Sequence, residues 1–231
     1  SILFHATRVR RRCSIITDLD AAFMDTVPAP GDDPGTLAFK EKLIRAQDAG
    51  ARRRAALDAE AAANGWIRPF YASHTFEVDF VAAGNAEKVV ATVGEVYSQA
   101  ATRFDSINEL RSGNPAYYGR RVLTMASQEG KGWFAIRLGK LVDARTVIPP
   151  YIRQAVTFAH GPFSRELLFN ILKHRLKVNT FPGLPPSPAM HAFSQRLEQY
   201  RAGWIDFNAI RAEAGTGLPN DQILAFLGDL Q

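Results

Sequence analysis

A single cysteine, Cys13, stands in a chain of 231 residues. An intrachain disulfide and a cysteine-based zinc site are therefore excluded, and a reducing, cytoplasmic setting is the expectation. No apolar run approaches the roughly 18 residues that span a bilayer. The basic residues after Ser1 lead into no apolar stretch of the kind a secretory signal carries. The phosphate-cradling pattern G-x-x-x-x-G-K-[ST] is missing, so no ATPase of that type is encoded here. Five histidines, His5, His74, His160, His174 and His191, form no H-E-x-x-H pair, which argues against a histidine-based metal centre. No segment repeats at a fixed period. An initiator Met is also missing, and the expectation is a chain that starts inside a longer protein.

What remains is ample for a folded core: 46% hydrophobic and 10% aromatic residues. Lys and Arg number 28 against 23 Asp and Glu, a net charge of +5 that favours nucleic acid or another polyanion as partner and excludes no other class. The length fits a core domain over 1–160 with a smaller appendage over 161–231. Cys13-Ser14-Ile15-Ile16-Thr17 is a β-branched run that predicts a buried strand ending in Asp18-Leu19-Asp20. A Pro/Gly-rich loop over 25–36 follows, then an Ala/Arg-rich helix to about Asn64, capped by Thr36 or a neighbour, with Gly50 as a potential break. Ile67-Arg68-Pro69-Phe70-Tyr71 predicts a second strand near an edge. Residues 74–80 suit either an alternating strand or a helix capped by Thr75. Helical spacing marks Val89, Val90, Val93, Val96 and Tyr97, and further helices are predicted over 115–127, 132–141 and 150–160. Beyond lie Leu167, Leu168, Ile171, Leu172 and Leu176 on one amphipathic helix, a proline-rich linker over 181–188, and short helices over 189–200, 204–212 and 220–230. The fold class is α/β with a C-terminal helical subdomain.

Asp18-Leu19-Asp20 carries the chemistry. Two carboxylates one residue apart, at the end of a strand, offer hard oxygen ligands suited to Mg²⁺ or Mn²⁺, ions that keep waters for a substrate phosphate. D-x-D alone is short and common. Arg8, Arg10, Arg11 and Arg12 stand just before it, and Arg10, Arg11 and Arg12 are the candidate contacts to a DNA backbone. Arg52-Arg53-Arg54 fans around a helix and reads chiefly as a solvated face. Trp133 and Phe134 read as core.

The run Ser14-Ile15-Ile16-Thr17-Asp18-Leu19-Asp20 resembles the D-x-D strand of Toprim domains. Three further stretches are similar to the version found in OLD-family (overcoming lysogenization defect) ATP-dependent endonucleases. They are Tyr71-Ala72-Ser73-His74-Thr75-Phe76-Glu77-Val78-Asp79, Gly130-Lys131-Gly132-Trp133-Phe134-Ala135 and Ile148-Pro149-Pro150-Tyr151-Ile152-Arg153-Gln154-Ala155. They occur in the family's order and cover roughly 10–160. The resemblance implies a Toprim-like core with a short, mostly parallel sheet and flanking helices, and it makes the helix over about 36–64 an insertion. It implies a two-metal DNA endonuclease: Asp18, Asp20 and Glu77 as metal ligands for a pair of Mg²⁺ or Mn²⁺ ions, and Lys131 as the catalytic lysine that stabilises charge on the phosphate. Asp79, two residues after Glu77, is a weaker candidate. ATP enters only through a domain absent from this chain. DNA is the implied partner, with an accessory helicase as a further candidate and a homodimer expected for the full-length protein. Toprim domains also carry a Glu on an earlier strand. No acid precedes Asp18 here, so that strand is expected upstream of Ser1.

Two other classes stay open. A haloacid-dehalogenase-type phosphatase would use Asp18 as nucleophile and Asp20 as acid/base, although Ala21, Ala22 and Phe23 replace the usual Gly-Thr continuation. A non-catalytic DNA-binding module would bind with a steep salt dependence and no need for metal.

Overall fold

The computed structural model describes residues 3–180, 183 and 185–230. Contacts divide the chain into two compact units, Ser1–Ala155 and Val156–Gln231, with the division falling inside one helix rather than at residue 160. The architecture is mixed α/β and mostly helical. Among the described residues, the one sheet has two parallel strands.

In the first unit, β1 (Cys13–Asp18) pairs with β2 (Ile67–Ala72), in a register that sets Cys13 opposite Ile67 and Asp18 opposite Ala72. Parallel pairing demands a long crossover, which α1 (Pro34–Ala62) supplies. Its N-cap is Asp33, whose carboxylate accepts from the Thr36 amide, so Thr36 is the capped residue and not the cap. Lys40, buried on α1, donates to Asp32 and to the Val27 carbonyl and so pins the preceding loop. β1 is only half-buried, and Ile16 is 49% exposed. The expectation of a buried strand therefore fails: a strand in a parallel sheet is enclosed when helices cover both faces, and the outward pleat of β1 is left open.

After β2 the chain turns helical at once. α2 (Phe76–Phe80) settles the ambiguity over 74–80 in favour of a helix starting at Thr75, though the Thr75 hydroxyl makes no capping bond. A π-helical turn (Val81–Asn85) follows, with Gly84 at φ 103° where a side chain would be strained. Buried Asn85 clasps this bend: its amide nitrogen donates to Phe80 and Val147 carbonyls, and its oxygen accepts from the Val147 amide. Short helices α3 (Ala86–Val90) and α4 (Val93–Val96) come next, then α5 (Ala100–Arg111), which periodicity does not reveal. α6 (Pro115–Glu129), α7 (Lys131–Gly139) and α8 (Pro150–His160) lie close to their predicted spans. Val78, Val89, Val93, Leu110, Met125 and Phe134 form the fully buried heart of this unit. Trp133 is 66% exposed, contrary to its reading as core; Phe134 fills the inward face of α7, and the adjacent position is turned outward by about 100°.

The second unit continues with α9 (Arg165–Asn179), α10 (Pro188–Ala202), α11 (Phe207–Gly217) and α12 (Ile223–Asp229). Ser164, Ser187 and Asp206 cap the first three. The Asp206 cap moves the start of α11 past Trp204, which is exposed. Leu172, Leu197, Ile210, Ala214 and Leu227 are buried together. Of the linker over 181–188, Phe181, Pro182 and Leu184 lie outside the described residues. No helix among the described residues is long and apolar enough to cross a membrane.

Candidate functional site

The end of β1 builds the site. Past Asp18 the chain keeps to the parallel ladder for a few residues, the Leu19 amide donating to Ala72 and the Ala21 amide to Ser73. Between them Asp20 adopts φ 52°, a left-handed conformation that aspartate tolerates better than most residues. Such backbone costs on the order of 1–3 kcal/mol and recurs at functional sites. The consequence is that Asp18 and Asp20 meet one cation: Arg53 Nη2 lies 3.4 Å from Asp18 Oδ1, 3.0 Å from Asp20 Oδ2 and 2.9 Å from the Asp18 carbonyl oxygen.

Arg53 gets there because α1 passes very close beneath the loop. Gly50 is buried, and a Cβ on it would stand 1.8 Å from the Leu19 carbonyl oxygen. One turn earlier, Gln47 Oε1 accepts from the Ala22 amide at 3.0 Å. Gln47, Gly50 and Arg53 follow a spacing of three, so one strip of α1 underlies residues 18–22. Sequence reasoning treats Arg52-Arg53-Arg54 as a unit on a solvated face, and the structure corrects this residue by residue. Arg53 bridges the two aspartates; Arg54 lies over the Tyr71 ring and pairs with Asp58; Arg52 is exposed. The spacing Lys40, Leu43, Gln47, Gly50 is the signal that marks the inward strip of α1.

Burial raises the Asp18 pKa, the Asp20 charge adds to this, and Arg53 and Lys131 oppose it without winning. The partly exposed ion pair with Arg53 thus does not offset burial and the neighbouring Asp20 charge together. Arg53→Gln removes the shared cation, and about 1 kcal/mol of stability is expected to go with it at neutral pH, given the partial exposure of all three side chains. The deficit shrinks once acid protonates the aspartates. Thermal melts at pH 7 and pH 4 check this, and an equal deficit at both would contradict it.

Glu77, on α2, is mostly buried and faces Lys131 Nζ at 3.6 Å, while Lys131 itself is 64% exposed at the start of α7. Lys131 is also near enough to Asp18 to act on its carboxyl. Asp79 turns the other way on α2: its Oδ1 lies 2.7 Å from His74 Nδ1, and its Oδ2 accepts from the His74 amide. The buried Tyr151 hydroxyl is pushed up to about 12, by burial first and then by the charges of Asp79, Asp18 and Glu77. Asp18, Asp20, Glu77, Asp79, Lys131, Arg53 and Tyr151 therefore share one electrostatic neighbourhood assembled from β1, α1, α2, α7 and α8.

The carboxylates do not form a complete ligand shell. Among the described residues no group of three or more His, Cys, Asp and Glu is gathered tightly enough to hold a metal. Asp18 and Asp20 converge; Glu77 is held apart on Lys131. Two carboxylates plus waters is nonetheless an ordinary Mg²⁺ arrangement, and one guanidinium nitrogen already sits where the two aspartates point. The donor set fits a hard cation.

Arg10, Arg11 and Arg12 are exposed and precede β1. A strand advances about 3.3 Å per residue, which sets Arg12 roughly 20 Å from Asp18. Convergence of these arginines with the acids at one strand end is therefore not what the fold builds. The cations beside the aspartates are Arg53 and Lys131, delivered by α1 and α7.

No protein-family model, curated protein or solved structure matches the chain. The fold and site define a mixed α/β protein with a two-stranded parallel sheet and an acidic centre compensated by arginine and lysine at the carboxyl end of its first strand.

Proposed function

We propose that this chain is a divalent-metal-dependent DNA endonuclease with a Toprim-like core, the nuclease portion of an OLD-family enzyme. The observation that supports this most is the focusing of Asp18 and Asp20 onto one cation at the end of β1, with Lys131 beside them. Asp18 and Asp20 would hold Mg²⁺ or Mn²⁺, and Glu77 a second ion once it leaves Lys131. A bound divalent ion supplies Lewis-acid polarisation of a phosphate and lowers the pKa of a water.

The chain's own residues do the rest. Lys131, exposed at the start of α7, stabilises negative charge on a phosphate oxygen. Tyr151 keeps its proton at neutral pH and is a hydrogen-bond donor there. Asp79 fixes the His74 ring and backbone beside the site. Arg53 balances the aspartates when no metal is bound. Arg12, roughly 20 Å from Asp18 by the strand rise, and Arg10 and Arg11 before it would meet the DNA backbone at a distance from the scissile phosphate. The same reading would add ATP coupling, dimerisation and an accessory helicase through parts other than this chain.

Supercoiled plasmid is expected to be relaxed or linearised with Mn²⁺ and left intact in EDTA, with Lys131→Ala slowed at least about 100-fold, as for loss of one transition-state charge contact. Arg53→Gln is expected to show a larger Mn²⁺-induced rise in melting temperature than the wild type, because the competing guanidinium is gone. No cleavage by the wild type in Mn²⁺, together with no Mn²⁺-induced shift in either protein, would reject the proposal.

A further inference from the structure

A cleft of about 590 Å³ opens beside Asp20, between α1 and α6. Its size is that of a site for a small organic group. We propose that it receives an unpaired nucleobase, so that the substrate of this site is single-stranded or locally melted DNA rather than intact duplex. This rests on the reading of DNA as the substrate.

The lining has two characters. Inside are Phe23, Phe39, Leu43 and Leu123, with the two phenyl rings 6.3 Å apart and inclined at 60°. Phe23 is buried in the core, whereas Phe39 is only half-buried. At the rim stand Lys42 and Lys131, both exposed, and the Arg120 guanidinium lies 5.8 Å from the Phe39 ring centre. Thr75 also lines the cleft, and its buried hydroxyl has no hydrogen-bond partner. An apolar, aromatic interior under a cationic rim complements a nucleotide: the base has two π faces to stack, and its phosphate lies where Lys42 and Lys131 are. Every base has such a face, so the cleft selects for an unpaired base and not for a sequence. A base inside a duplex reaches it only by leaving the stack, at a cost that a single strand does not meet. The rim includes Asp20 and Lys131 of the acidic centre, so a base held here sets its own phosphate beside that centre.

The test is fluorescence anisotropy in EDTA with a labelled twelve-nucleotide oligo-dT strand and a hairpin duplex of the same length. The wild type is expected to bind the single strand at least about tenfold more tightly. Ala46→Trp places bulk in the cleft, and Lys42→Ala removes a rim charge; each is expected to reduce that preference at least about threefold. Circular dichroism reports folding, and if Ala46→Trp does not fold, Thr124→Trp replaces it from the opposite wall. A 2-aminopurine at the centre of the strand is expected to lose fluorescence on binding to the wild type and to keep it with the filled cleft. Equal affinity for strand and duplex, or a preference unchanged in the filled-cleft and Lys42 variants, overturns the assignment. Plasmid cleavage in Mn²⁺ is measured in parallel. Cleavage with no cleft-dependent strand preference rejects the cleft alone; cleft-dependent binding without cleavage rejects the nuclease reading alone.

Discussion

Asp18→Asn is expected to abolish plasmid cleavage, by at least about 100-fold, and at the same time to raise the melting temperature of the metal-free protein at pH 7. The two effects have one cause. Asp18 is held against Asp20 at a partly buried strand end, where burial and the neighbouring charge raise its pKa despite Arg53. A carboxyl with a higher pKa in the folded chain than in the unfolded chain opposes folding once it is ionised. That penalty is absent below the ordinary aspartate range and is complete above the raised pKa. Asparagine keeps the shape and removes the charge, so the variant gains at pH 7, and the gain closes as the pH falls below about 4, the ordinary aspartate value. The same substitution removes one of the charges that push up Tyr151, so the ultraviolet titration of that phenol is expected to move down from about 12. Adding Mn²⁺ is expected to stabilise the wild type and not the variant. A variant that melts lower than the wild type at pH 7 in EDTA would show that Arg53 outweighs the crowding. Cleavage at the wild-type rate would remove Asp18 from the site.

Gly50→Ala is expected to be among the most damaging single changes in the first unit, although alanine favours helix over glycine by about 1 kcal/mol. The added methyl would lie 1.8 Å from the Leu19 carbonyl oxygen, 2.5 Å from its carbon and 2.9 Å from its Cα, all backbone atoms with little freedom to yield. Either α1 moves outward or the loop carrying Asp18, Leu19 and Asp20 is displaced, and overpacking of this kind costs about 1–3 kcal/mol or more. For a unit of this size, a fall in melting temperature of roughly 2–4 °C per kcal/mol follows. Arg53 also withdraws from the aspartates, so cleavage is expected to fall further than stability alone explains. Gly215→Ala in α11 is the control: a Cβ there meets nothing within 4 Å, and a neutral or slightly stabilising effect is expected. The same sign for both substitutions would mean that the approach of α1 to Leu19 is looser than described.

Much of the local structure is legible in the sequence. The β-branched run from Cys13 and the run from Ile67 are strands, and the spacing of apolar residues marks α6, α7, α8 and α9 within a few positions. Residues 74–80 alternate like a strand and yet lead into α2, followed by the π turn from Val81, because Val78, Phe80 and Val81 are all needed in the core, which one face of a strand cannot deliver. The α5 helix has no clear apolar stripe: its buried positions are Ser106 and Leu110, and the rest of it is mostly open.

Residue chemistry determined that a pair of hard oxygen donors ends the first strand, that the chain's single cysteine can form no intrachain disulfide or cysteine-rich centre, and that α1 joins two strands. Only the tertiary structure decided which cation answers those donors. Proximity in sequence favoured Arg10, Arg11 and Arg12, but a strand is extended, and six residues of it carry them to the far end. Arg53 is 35 residues from Asp18, and its position depends on the rotation of α1 about its own axis. That rotation is constrained where Gly50 lets the helix and loop backbones approach closely, a constraint that arises only when the two elements pack.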